Sequence, residues 1–191
     1  MRYAGPCAGR AILIQGAGLL GLTAAAMARA DGAREVIVCD KVVQRVERAG
    51  GFGATRTVLV DDGGSALRGI VDQATSGRGV DLAIDLSGDP AAAEAGIELL
   101  RIGGVYVWVG AVFPARPVSL SAETVVRRML RIQGVHNYAP DDLGRALRFL
   151  QDAHSRFAFE ELVAETFPLE EADAAFLRAS RSGALRVAVK G

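Results

Sequence analysis

The sequence predicts an α/β protein built on a doubly wound, six-stranded parallel sheet with a C-terminal α/β tail. Three observations carry that prediction. Gly16, Gly18 and Gly21 form a Gly-x-Gly-x-x-Gly turn between an apolar run at 11–15 and a helix-like run at 19–30. A second apolar run, Val36-Ile37-Val38-Cys39, ends in Asp40, about twenty residues beyond the turn. Past Asp40, short apolar runs keep alternating with helical patterns, which calls for parallel strands with helices on both faces.

The first strand is read at 11–15, the helix after it at 19–30 and the second strand at 36–39. A helix at 41–50, a short strand at 57–60 and a helix at 65–75 follow, the last stopped by Ser76-Gly77. The fourth strand is 81–85. Asp89-Pro90 then opens a helix that runs to about Arg101, since Asp accepts free N–H groups and Pro is tolerated at the first helical position. Gly103-Gly104 is expected to stop that helix and leave 105–109 as the fifth strand. A Pro-interrupted loop at 113–117, a helix at 121–128 and a sixth strand at 130–135 complete the sheet. In the tail, 141–153 reads as an amphipathic helix with Leu143, Ala146, Leu147 and Leu150 on one face. A strand at 162–167, a helix at 170–179 and a strand at 185–189 close the chain. The expected organisation is a lead-in at 1–9, a Rossmann-type domain at 10–136 and the tail at 137–191.

The glycines and Asp40 point to a dinucleotide. Gly16 lets the chain leave the strand sharply, Gly18 leaves room for backbone to approach a pyrophosphate, and Gly21 allows close helix packing. The helix beginning at Leu19 and Leu20 offers unpaired N–H groups and the positive end of its dipole. Asp40 is placed to accept hydrogen bonds from ribose hydroxyls and to repel the extra phosphate of NADP, so NAD is the expected cofactor; Lys41 beside it works the other way. Residues 16–23 also overlap the pattern of a nucleoside-triphosphate loop, but Leu22 stands where the phosphate-reaching lysine is required. A methyltransferase shares the acid after the second strand, but usually carries another before its first glycine, where this chain has Ile12-Leu13-Ile14-Gln15.

Half of the 191 residues are hydrophobic, enough for one substantial core, and the 22 basic residues equal the 22 acidic ones. Such a balance offers no global attraction to nucleic acid or an anionic membrane; Arg127, Arg128 and Arg131 are read as a solvated helix face. No apolar stretch approaches the roughly 18 residues of a membrane span, and no signal-peptide core precedes residue 10. Cys7 and Cys39, far apart in sequence, fit a reducing cytoplasm better than a disulfide framework, so the expected location is cytoplasmic.

Residues 9–21 (GRAILIQGAGLLG), Val38-Cys39-Asp40, Gly79-Val80-Asp81, Gly103-Gly104, Val109-Gly110 and the closing 182–187 (SGALRV) together resemble the second half of a zinc-type alcohol dehydrogenase of the medium-chain dehydrogenase/reductase superfamily. The resemblance extends over 5–191. The stretch 134–140 (GVHNYAP) also resembles a subgroup proposed to act in phosphonate catabolism. The family resemblance implies further cofactor contacts. Arg45 would cover the adenosine ribose, and Ser87-Gly88 would pass beneath the nicotinamide ribose. Backbone groups at Val109, Val135 and Asn137 would hold the carboxamide, and Arg186 would pair with the pyrophosphate.

In that family the catalytic zinc, its ligands and the proton relay belong to an amino-terminal domain, which the resemblance places outside this sequence. The chain has two histidines, His136 and His154, with no Gly-His-Glu element and no four-cysteine loop, so no zinc site is expected within it. His136 is read as structural rather than as a proton carrier, and Tyr138 lacks the lysine four residues on that a short-chain dehydrogenase needs. The reading is the NAD-binding half of an alcohol dehydrogenase, acting on a small alcohol or aldehyde in the complete enzyme and inactive by itself. The alternative is a non-catalytic NAD-binding module that regulates or docks a partner. The resemblance further implies a homodimer through the edge strand 130–135. The tail strands would normally pair within the absent domain, so their apolar residues are expected to be partly exposed.

Overall fold

The computed structural model describes residues 3–60, 64–181 and 184–191; Ser182 and Gly183 of the closing motif lie outside the described residues. Six parallel strands form the main sheet: β1 (Ala11–Gln15), β2 (Glu35–Asp40), β3 (Arg56–Leu59), β4 (Val80–Asp85), β5 (Leu100–Trp108) and β6 (Arg131–Gly134). Their order is β3-β2-β1-β4-β5-β6, so the chain winds outward from β1 first one way and then the other. The central strands β1 and β4 are buried at every position, as a sheet covered on both faces requires.

Alternation along the strands divides the core in two. Ile12, Ile14, Val36, Val38, Leu82 and Ile84 pack with Leu22, Ala25 and Ala26 of α1 (Leu19–Ala30). Ala11, Leu13, Ile37, Cys39, Ala83 and Tyr106 face the other way, against Leu67 and Val71 of α3 (Ser65–Thr75) and Ala93 and Ile97 of α4 (Pro90–Glu98). Between β2 and β3 the expected helix at 41–50 is shorter: α2 covers Val43–Arg48 and passes into a 3-10 turn, Ala49–Phe52. Burial pushes both thiols up, Cys7 to about 11 and Cys39 to about 12, with nearby carboxylates adding to the effect, so both stay protonated.

Two local expectations around α4 met different fates. Asp89 caps the helix as its residue type demands, its carboxylate accepting the Ala91 N–H at 2.9 Å. Gly103-Gly104, however, does not stop it. The helix ends at Glu98, and β5 begins at Leu100 and runs through both glycines. Val80 pairs with Leu100 but Leu82 with Val105, so residues 101–104 bulge out of the ladder. Gly103 sits at φ 72°, and a Cβ on Gly104 would lie 2.9 Å from the Arg101 carbonyl. The pair is there for a bulge inside a strand. At this N-terminal end of the sheet, Asp81 accepts from the Ala11 N–H (2.9 Å), from Arg101 Nε (2.6 Å) and from Arg78 (3.1 Å). Burial would raise its carboxyl, but these donors outweigh it and hold it below the usual range.

The short helix α5 (Ala122–Arg127) leads into β6, which lies at the open edge beside β5. In the tail, α6 (Pro140–Ala153) precedes a second sheet of two parallel strands, β7 (Val163–Pro168) and β8 (Arg186–Lys190), joined by α7 (Ala172–Arg181), so the tail strands pair with each other. Part of the tail docks on the α1 side of the main sheet. Phe159 stacks edge-on against Phe52 (5.5 Å between centroids), Phe149 and Phe157, while Leu162 and Leu185 pack on the same core. The rest is exposed, including Val163, Val189, Phe176 and Leu177. No described helix is long and apolar enough to cross a membrane.

Candidate dinucleotide-binding cleft

Each glycine of the turn between β1 and α1 answers a different physical question. Gly16 has φ 99°, and a Cβ on it would come within 3.1 Å of the backbone at Leu86 and Ser87, so the chain must pass bare beside the end of β4. Gly21 packs against the turn itself, where a Cβ would collide with the Gly16 carbonyl oxygen. Gly18 has neither reason. Its φ of −72° suits any residue, and a Cβ there would meet nothing within 4 Å. It is the N-cap of α1, and no side-chain hydrogen bond caps that helix. The protein needs no glycine at 18 for its own packing. The vacant volume over a positive helix end suits a phosphate brought close to the backbone.

Two hollows meet around this turn. The first, of about 560 Å³, is lined by Gly16, Gly18, Asp40, Lys41, Arg45 and Ser87 among others. The second, of about 760 Å³, lies on the α1 face and includes Leu20, Val109, Val135 and Asn137. Leu86 lines both. The first lies beyond the ends of β1 and β2, where open α/β sheets place their ligands, and the second extends along α1 to Ala30 and Asp31. Of the remaining predicted residues, Leu19 is half-buried in the first turn of α1 and Gly21 is buried beneath it.

Arg186 lines neither hollow. It stands on β8 in the small second sheet and donates to the Leu185 carbonyl at 2.8 Å, while Leu185 itself packs on the α1-side core. His136 is exposed and lines neither hollow. Asn137 adopts φ 57°, a left-handed conformation that Asn tolerates better than most residues, at the mouth of the second hollow.

Asp40 does more than its position implied. Its Oδ2 accepts the Ala17 N–H at 2.8 Å and its Oδ1 the Val42 N–H at 2.9 Å, so the carboxylate stitches the glycine turn to the end of β2. A carboxylate has about four acceptor sites, which leaves capacity for ribose hydroxyls. Arg45 Nη1 lies 3.8 Å from Asp40, and Arg45 Nε is buried without a hydrogen-bond partner, a donor still to be satisfied at the cleft wall. Across the opening, Lys41 Nζ meets Asp89 Oδ2 at 2.7 Å.

Three features escaped the sequence reading. Asp85, fully buried, accepts from the Ser87 N–H (2.9 Å), Ser87 Oγ (2.7 Å) and Gly88 N–H, and so shapes the turn beneath the cleft; its other oxygen has no partner. Beside it, Tyr106 Oη donates to Gln15 Oε1 at 2.9 Å, while Gln15 donates to the Ala92 carbonyl. Gly88 and Gly110 come so close that a Cβ on Gly110 would lie 2.5 Å from the Gly88 nitrogen. An acid at a strand end followed by Ser-Gly was the available signal for the first. The other two depend on contacts between strands.

Among the described residues, no group of three or more His, Cys, Asp and Glu side chains is placed to hold a metal ion. The strand order, the open glycine at the start of α1 and the acid at the end of β2 define a Rossmann-type dinucleotide-binding unit. The chain belongs to the zinc-binding dehydrogenase family, whose model matches residues 20–152. It is 28% identical to D-xylulose reductase A of Aspergillus oryzae over its full length, which corresponds to 53% of that protein. An alcohol dehydrogenase from Thermotoga maritima superimposes with a TM-score of 0.89 at 29% identity, over 98% of this chain and 51% of that one. A zinc-binding dehydrogenase from Sinorhizobium meliloti bound to NADP shares the fold, with a TM-score of 0.85 at 24% identity over all of this chain and 55% of that one. The chain thus spans about half the length of the relatives it matches.

Proposed function

We propose that this chain is the NAD(H)-binding half of a zinc-type alcohol dehydrogenase, which transfers hydride between an alcohol or its carbonyl product and the nicotinamide. The observation that carries the proposal is the open space over Gly18 at the start of α1, where no side chain caps the helix, in a hollow it shares with Asp40, Arg45 and Ser87. In this reading the chain's own groups bind and orient. The α1 N-terminus holds the pyrophosphate, Asp40 and Arg45 hold the adenosine ribose, Ser87 supports the second ribose, and Val109, Val135 and Asn137 present the carboxamide sites. When bound, NAD supplies the hydride acceptor. Substrate activation by zinc belongs to the other half of the proposed enzyme, since no described cluster of ligands here can support it. None of the relatives named above is a phosphonate enzyme, so the likeness of 134–140 carries no weight in this proposal.

The preference for NAD over NADP rests on Asp40. The fold does not choose, because a neighbour with the same fold is bound to NADP. The Asp40 carboxylate, anchored by two backbone N–H groups at the cleft wall, places a fixed negative charge where the additional phosphate would lie. Fluorescence titration of the 191-residue chain with NADH and NADPH tests this: tighter NADH binding is expected, and equal affinities would refute the preference. An NAD reduction assay over primary and secondary alcohols is expected to show no turnover by this chain alone. A homodimer through β6 is part of the same proposal.

A further inference from the structure

Asp40 has a second acidic neighbour across the cleft, and its partner is the lysine that follows Asp40. Lys41 Nζ and Asp89 Oδ2 are 2.7 Å apart, one at the end of β2 and the other at the start of α4, and both residues line the first hollow. Asp89 is fixed for this role. Its Oδ1 is committed to the Ala91 N–H as the α4 cap, which holds Oδ2 toward Lys41. The hydrogen bond from Lys41, with that cap, keeps the Asp89 carboxyl below its usual range.

On this wall Lys41 faces Asp89, and Arg45 lies by Asp40. Lysine is a compact cation on a flexible stem, and one placed directly after the ribose-binding acid is within reach of a phosphate on that ribose. We infer that Asp89 is a specificity-determining residue that disfavours NADP by drawing the Lys41 ammonium away from the adenosine ribose. Asp40 repels the 2′-phosphate directly, while Asp89 holds back a cation that would attract it. This rests on the reading of the cleft as a dinucleotide site.

The test is fluorescence titration of NADH and NADPH into the 191-residue chain, unmodified and with D89N, D89S, K41A and D89N/K41A. Asn and Ser both cap helices, so the two Asp89 variants keep α4 closed while removing the charge. The Asp89 variants are expected to improve NADPH affinity relative to NADH by about tenfold, the scale of one added cation near a phosphate at a wet surface. The gain should shrink with added salt and vanish in D89N/K41A. A NADPH/NADH ratio unchanged in both Asp89 variants, with NADH still binding, overturns this inference alone. A gain that persists in the double variant also overturns it, because Lys41 would not be the cause. Failure of the unmodified chain to bind either dinucleotide overturns the cleft reading and the inference with it.

Discussion

Gly18 and Gly21 stand three positions apart and are glycine for opposite reasons, which makes them a matched test of the cleft. A methyl group at 21 collides with the Gly16 carbonyl, whereas one at 18 projects into open volume from a backbone that accepts any residue. Gly21→Ala is expected to cost about 1–3 kcal/mol of stability by overpacking. Gly18→Ala should leave stability unchanged or raise it by up to about 1 kcal/mol, while weakening NADH binding by tenfold or more. Thermal unfolding and NADH titration of the two variants separate the effects; a Gly18→Ala chain that binds NADH as tightly as the unmodified one would remove the phosphate from this turn. At this scale the sequence placed Asp40, Lys41 and Arg45 at one wall. It did not show that both Asp40 oxygens are already engaged by backbone, because those donors, Ala17 and Val42, depend on how the turn lies against β2.

Helix α6 shows how an element can be correctly located and still present an unexpected face. Its apolar stripe, Leu143, Ala146, Leu147 and Leu150, has the spacing of a core-facing helix, yet Leu143 and Leu147 are 55% and 54% exposed. The adjoining side does the packing: Phe149 reaches Phe159 and Ala153 is 1% exposed. Phe149→Ala is therefore expected to destabilise the chain by about 3 kcal/mol, and Leu143→Gln with Leu147→Gln by less than about 1 kcal/mol in total. Denaturant unfolding distinguishes them, and a large loss in the double Gln variant would mean that the leucine stripe is covered in solution. Periodicity reports that a face is apolar; the surface that covers it lies elsewhere in space. The same limit explains Gly103-Gly104, since glycines end helices and also permit bulges, and only pairing with β4 selects between the two.

For the whole molecule, the open ladder of β6 and the exposed β7–β8 sheet are surfaces that invite another chain. Pairing of β6 with its counterpart across a two-fold axis is the proposed assembly, and light scattering coupled to size exclusion should give twice the chain mass. Hydrogen exchange should then be slow in β6 and faster in β7 and β8, whose residues are mostly exposed. A monomer with slow exchange in both tail strands would contradict this and would make the tail a fully supported part of one domain. Phe157, Phe159, Leu162 and Leu185 pack on the first core, so part of the tail rests on the main sheet.

The sequence by itself determined the sheet, the glycine turn and the acid at the end of β2. Each is encoded locally, by strand and helix periods, by residues with special backbone freedom and by short fixed spacings. Tertiary structure alone decided what those elements meet. It joined Lys41 to Asp89 over 48 positions and Tyr106 to Gln15 over 91, set Asp85 beneath the Ser87 turn, and paired the strand of Arg186 with β7 in a second sheet. Such contacts depend on strand order and helix placement, and the order β3-β2-β1-β4-β5-β6 brings together side chains that no local pattern relates.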